Sequence, residues 1–270
     1  MDATAPLVVS SYTLGTEVGF IDRLRAAAAA GFDGIGLRAE NYWAAGLDDA
    51  AMLALAEEHG VPILEVEYLT GWGTPRDRDE AQQKKEHAVF HMARAFGVRH
   101  LNAGLLEKLP LDVMTEAFAA LCERAGPDLT VALEFMPYSA VPDLSTAWRI
   151  VEPVPHAALI IDNWHWARAG QQPADLDRIP AERIVSVQLC DVRAEPMEPL
   201  RVESLGHRLP PGQGNGDTVG LVRALAAHGV IPAVMAVEVI SEELVARGVD
   251  VAAQVNADAA RAVLAAARTI

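Results

Sequence analysis

Apolar residues fall into two alternating patterns along the chain. Short runs rich in valine, isoleucine and leucine recur, each followed by a longer alanine-rich stretch of helical period. The runs predict strands at 7–13, 33–38, 62–69, 100–105, 130–135, 158–162, 184–190 and 234–240. The stretches between them predict helices near 17–30, 47–59, 77–96, 112–125, 143–152, 174–179, 217–228 and 242–268. Gly31, Gly60, Gly97 and Gly229 each precede a Phe or Val that leads into a strand, the place of a helix C-cap glycine. Eight such units, at about 34 residues each, predict a closed parallel (β/α)₈ barrel, an α/β fold read as one domain over 1–270. An open doubly wound sheet is the competitor, but it lacks its glycine-rich phosphate fingerprint after the first strand.

Composition narrows the partners. Hydrophobic residues make up 51% of the chain, enough for a sizeable core, and 22 basic against 37 acidic residues leave a net charge of −15. Phosphate backbones and anionic lipids attract basic patches, so this balance argues against nucleic acid or membrane as the main partner. Cys122 and Cys190 lie far apart and read as buried free thiols in a reducing compartment. No leader-like segment opens the chain, and no apolar run is long enough for a membrane span. A cytoplasmic protein is expected.

In a parallel barrel, chemistry gathers where strands end. The fifth strand ends VALEFMP and offers Glu134, while the sixth ends ALIIDNWHW and offers Asp162 with His165 three positions on. The seventh, IVSVQLCD, offers Gln188 and Asp191, and the eighth, MAVEVIS, offers Glu238. The third, ILEVEYL, carries Glu65, Glu67 and Tyr68. Taken singly, each has an ordinary explanation: Asp162 can cap a helix, a rim acid can pair with an arginine, and His165 can be a packed core histidine. Taken together, three carboxylates converging on one mouth repel each other, and a shared cation removes that conflict. Three carboxylates and an amide oxygen (Glu134, Asp162, Gln188 and Glu238) suit one hard divalent ion, Mn²⁺ or Mg²⁺, with Co²⁺ also compatible.

These segments resemble the xylose-isomerase-like (β/α)₈ barrels, the sugar phosphate isomerase and epimerase group with ketose 3-epimerases, hydroxypyruvate isomerase and inosose dehydratase. LEFMP, IDNWH, VQLCD and VEVIS match in order, and HRLPPGQGNGD adds Arg208, Pro211, Gly212 and Gly214 in the family's Arg-x-x-Pro-Gly-x-Gly segment. Gln188 stands where histidine is commoner. The resemblance implies metal ligation by Glu134, Asp162, Gln188 and Glu238, with Glu134 and Glu238 also the acid/base pair. It implies contacts to a sugar or polyol substrate from His165 and Arg208. Glu67 and Trp72 are further substrate-binding candidates, Trp72 as a cover on the rim segment 71–80. Trp164 and Trp166 are either packing or a sugar-stacking surface. The implied reaction is metal-dependent isomerisation or epimerisation of a keto-sugar through an enediolate. The alternative is a lyase on the same scaffold: a dehydratase of keto-inositol or dehydroshikimate type, or an eliminase of oxidised glycosides. A nuclease, by analogy with endonuclease IV, lacks its histidines here. Homodimers or homotetramers are usual in the resembling group.

Overall fold

Eight strands pair in chain order and close into a parallel barrel. They are β1 (Leu7–Val9), β2 (Gly34–Arg38), β3 (Ile63–Leu69), β4 (His100–Ala103), β5 (Thr130–Glu134), β6 (Ala158–Asp162), β7 (Ile184–Leu189) and β8 (Val234–Val237). The computed structural model describes residues 5–74 and 79–269. The closed eight-stranded barrel is the one the sequence predicts. The expected rim segment 71–80 falls partly outside the described residues, at 75–78.

Strand side chains alternate between the two faces of a sheet, and that period builds the interior. On β5, Val131 and Leu133 face the helices, as do Leu159 and Ile161 on β6. Ala132, Ala158 and Ile160 form a separate small cluster on the opposite face, inside the barrel. Glu134 and Asp162 continue that inner row by the same period. A polar layer also lies within the barrel: Glu65 Oε1 accepts from Ser186 Oγ at 2.6 Å and lies 3.1 Å from His100 Nε2.

The glycines predicted to end helices do so, with φ of 73° at Gly31, 66° at Gly60, 68° at Gly97 and 87° at Gly229. Other boundaries shift for local reasons. β1 stops at Val9 because the Thr13 hydroxyl, on the following turn, takes over the sheet's role, donating to Val237 O and accepting from Val239 N at 2.9 Å each. β8 stops at Val237, and the carbonyl of Glu238 accepts from Arg208 Nη1 at 3.1 Å. The helix expected at 174–179 is a single 3-10 turn, Pro173–Leu176. The last helix is two, Glu242–Ala246 and Val249–Arg268, parted at Gly248, whose φ is 100°. Helices Ala39–Ala45, Asn163–Arg168 and Leu200–Gly206 were not expected, since about two turns leave too few positions for a period to show. No helix among the described residues is long and apolar enough to cross a membrane.

Trp72, expected to cover a substrate, is instead a buried anchor. It has no exposed surface, its indole N–H donates to Gly104 O at 2.9 Å, and its ring packs 5.4 Å from that of Phe118. A ring so enclosed fixes the chain after β3 and leaves nothing to close over a ligand. Trp72→Ala is expected to cost about 3–5 kcal/mol in urea denaturation, with the substrate KM changed less than the stability.

Candidate active site

The pocket at the C-terminal ends of the strands has a volume of about 210 Å³, and Glu134, His165, Arg208 and Glu238 all line it. Asp162 lies beneath them without exposure and does two jobs. Its Oδ1 accepts from His165 N at 2.9 Å, capping the helix Asn163–Arg168, while Oδ2 accepts from Arg208 Nη1 at 2.8 Å. Capping and a place in the site are therefore compatible. The cap turns the chain so that His165 faces Glu134, with Nε2 3.3 Å from Oε1, close but not aligned for a hydrogen bond. Trp164 and Trp166 are buried packing residues, the ring of Trp164 edge-on to His165 at 5.1 Å.

Arg208 is the central cation. Besides Asp162, Nη1 donates to Glu238 Oε2 at 3.2 Å, and Nε donates to Ser204 O at 2.9 Å. Burial opposes its charge, but Asp162 and Glu238 more than offset that and hold the guanidinium firmly protonated. Its backbone is fixed by donation to Ile240 O at 3.1 Å and by Leu209 bridging to Asp191. Asp191 in turn accepts from Gly216 N at 2.7 Å, and a Cβ on Gly214 would fall 2.2 Å from Val192 O. The glycine-rich segment thus packs directly on the end of β7 and sets the arginine in place.

Electrostatics follow from burial. His165 is pushed down to about 3 by burial and by Arg208, against the pull of Asp162, so its imidazole is neutral. Burial raises Glu134 above the usual carboxylate value, with Arg208 and Tyr68 opposing. Glu238 is pushed up to about 8 by burial, opposed by Arg208 and reinforced by Glu134 and Asp162.

A divalent cation fits three of these residues, with His165 among them and Glu238, expected as a ligand, outside the group. Glu134, Asp162 and His165 each offer a ligand atom, all within 4.8 Å of one another. Glu134 Oε1 and Gln188 Oε1 are buried without a hydrogen-bond partner, and Gln188 pairs in register with Asp162. Orphaned buried oxygens are costly unless a ligand satisfies them.

Glu67 is placed differently from expectation. It does not line the pocket, but lies buried behind Glu238, with Ser10 between them. The pocket also holds residues the sequence reading did not single out: Arg38 at the end of β2, Tyr12, Tyr138 and the exposed Arg201. Reading every strand end would have found Arg38. Nothing in the local pattern marks Arg201, which sits on the short helix Leu200–Gly206.

Carboxylates, a histidine and an arginine converge at the C-terminal rim of the closed (β/α)₈ barrel, the end where active sites of this fold lie. The family model for xylose isomerase-like TIM barrels matches residues 24–266, and the chain belongs to that family. It is 25% identical over 219 residues to the 3-dehydroshikimate dehydratase of Pseudomonas putida, covering 77% of this chain and 34% of that one. The chain thus spans about a third of the length of that curated relative. Among solved structures, the IOLI protein with a bound zinc atom superposes with a TM-score of 0.85 at 20% identity, over 98% of this chain and 100% of that one. L-ribulose 3-epimerase superposes with a TM-score of 0.71 at 17% identity, over 98% and 96% of the two chains. At such identities these structures share the fold. The neighbours by fold thus include an epimerase, and the relative by sequence is a dehydratase.

Proposed function

We propose that this protein removes a proton from a carbon beside a carbonyl, and that the outcome is loss of water from a cyclic, carboxylate-bearing keto-polyol of the 3-dehydroshikimate type. The proton chemistry follows from Glu134 and Glu238 lining one small pocket with a neutral His165 and a cationic Arg208. The choice of outcome rests on one observation: in a chain of net charge −15, Arg38 and Arg201 both line that pocket. The Arg38 guanidinium stacks 4.0 Å above the Tyr12 ring, with its Nε 3.6 Å from Glu40 Oε2. Guanidinium groups match carboxylates in shape and charge, a bidentate, charge-assisted pairing that a neutral ketose does not offer. Similarity to the dehydratase of Pseudomonas putida supports the same reading.

Glu134, Asp162, Gln188 and Glu238 would hold a divalent ion, Mn²⁺ or Mg²⁺ by their hard oxygens. When bound, it supplies Lewis-acid polarisation of the substrate carbonyl. Glu134 takes the proton from carbon; the C–H electron pair becomes the new double bond, and the β C–O bond breaks with its pair. Glu238 gives the departing hydroxyl a proton, so that water leaves. Arg208 holds a substrate oxygen and stabilises charge that develops on it.

Proton NMR of the protein with Mn²⁺ and 3-dehydroshikimate in D₂O tests this. The expected result is an aromatic product and one water per substrate. Deuterium entering neutral keto-sugars, with 3-dehydroshikimate untouched, supports isomerisation or epimerisation instead and overturns the dehydration.

A further inference from the structure

Ser204, on the short helix Leu200–Gly206, has no exposed surface and joins two residues that line the pocket. Its Oγ lies 3.1 Å from Arg208 Nη2 and 3.1 Å from Tyr138 Oη. A guanidinium only donates, so the serine oxygen accepts from Arg208. The serine then has one proton of its own to place, and a buried hydroxyl proton without an acceptor is costly. Among the described residues, Tyr138 Oη is the one further partner of this hydroxyl. Serine therefore donates to tyrosine, and the phenol proton cannot also lie between the two oxygens. We propose that Tyr138 is a catalytic residue, whose O–H, turned away from Ser204 by Arg208, donates to the substrate oxygen on which negative charge develops.

The direction of the chain Arg208–Ser204–Tyr138 is set by its first member. Asp162 and Glu238 anchor Nη1, and Nε donates to Ser204 O at 2.9 Å, so one guanidinium grips both oxygens of the serine. The remaining Nη2 N–H faces His165 Nε2 at 3.4 Å, the longest contact this cation makes to oxygen or nitrogen and the one a substrate oxygen can replace. Arg208 thus has a single N–H to lend, and the phenol supplies a second donor on the same pocket wall. Each donated proton polarises the next hydroxyl, which strengthens the last bond of the chain.

Tyr138 is also held in place. Its loop is closed by Met136 N donating to Val141 O and Ser139 N donating to Met136 O, at 2.8 Å each. Its ring lies 6.1 Å from that of Trp164 and 5.8 Å from that of His165, edge-on to both. Trp164 Nε1 in turn donates to Glu203 at 3.2 Å, on the helix that carries Ser204. The phenol keeps its proton throughout. It forms a stronger hydrogen bond as the carbonyl oxygen gains charge and a weaker one as the product forms, which is how an oxyanion donor lowers a barrier.

This role rests on proton abstraction beside a carbonyl in this pocket, so its test has an arm that needs no substrate. Neutron diffraction from D₂O-grown crystals of the full chain with Mn²⁺ locates both deuterons. That of Ser204 should lie towards Tyr138 Oη, and that of Tyr138 should point away from Ser204. A Tyr138 deuteron lying between the two oxygens overturns the proposal. In the kinetic arm, with 3-dehydroshikimate, Tyr138→Phe should lower kcat by roughly 10²–10³-fold, with KM changed far less. Ser204→Ala, which keeps the phenol but not its orientation, should lose a smaller part of kcat, and Ser204→Thr should restore most of it. An unchanged kcat in Tyr138→Phe, or a loss carried by KM alone, also overturns the catalytic role. Wild-type protein inert towards 3-dehydroshikimate removes the dehydration, and the neutron arm then decides the direction of the phenol proton alone.

Discussion

Arg208→Met is expected to cost the metal-free protein about 3–5 kcal/mol, the loss typical when one partner of a buried ion pair is removed. Methionine keeps the length and apolar stem but leaves Asp162 Oδ2 and Glu238 Oε2 without the Nη1 donor now 2.8 and 3.2 Å away. Asp162 has no exposed surface and Glu238 only 7%, so pocket water replaces the donor incompletely. Added Mn²⁺ should return most of the stability by supplying the missing positive charge. The pH dependence has a definite sign. Glu238 titrates at about 8 when folded, against its ordinary 4.5, so the folded state holds the extra proton between those values. Its contribution is greatest below about 4.5 and is lost as pH rises through 8. Without Arg208 the folded value rises further, so the two folded forms differ in protonation only above about 8, and the deficit of the variant should grow as pH rises beyond that value. Urea midpoints at pH 6 and pH 9, with and without Mn²⁺, measure it. Equal midpoints for wild type and variant would show that Arg208 is not what neutralises the rim.

The barrel was legible because its signal is periodic and repeated. Each strand's apolar run and each helix's closing glycine state the same unit, and a local error such as the helix expected at 174–179 leaves the count intact. Glu134, Asp162 and Glu238 were visible as rim positions because an acid ending an apolar strand has to be accommodated somehow. What the sequence could not show was which side chains stand one layer back. Glu67 and Glu65 share β3 and its inward face, yet Glu67 meets Ser10 and Glu65 meets Ser186 and His100, contacts set by barrel closure. Trp72 illustrates the same limit: a tryptophan in a glycine-rich segment reads as a lid until its cleft is known. Arg201 was hidden because its helix, Leu200–Gly206, has too few residues to show a period.

Glu134→Gln should lower turnover of 3-dehydroshikimate by about 10²–10⁴-fold, the usual contribution of a positioned acid or base, without weakening the fold. The amide keeps the shape and can still offer an oxygen, but it cannot take a proton. The side chain is nearly enclosed, Oε1 has no hydrogen-bond partner, the nearby His165 is neutral, and burial outweighs the help from Arg208 and Tyr68, so the fold loses little when the carboxylate goes. Removing a carboxylate whose pKa burial has raised should even stabilise the metal-free protein slightly at high pH. Glu238→Gln should lose activity on the same scale, while the two profiles separate the roles. Burial pushes Glu238 up to about 8 in the metal-free protein and a bound cation lowers it from there, so wild-type kcat should fall as pH rises through a value below 8 and the acid is spent. Residual activity in Glu238→Gln should no longer show that fall, whereas residual activity in Glu134→Gln should retain it. Steady-state kinetics from pH 6 to pH 9 on Mn²⁺-loaded protein, beside urea denaturation of each variant, make the comparison. Full activity in either variant removes that glutamate from the proton transfers and leaves the neutral His165 as the base to examine.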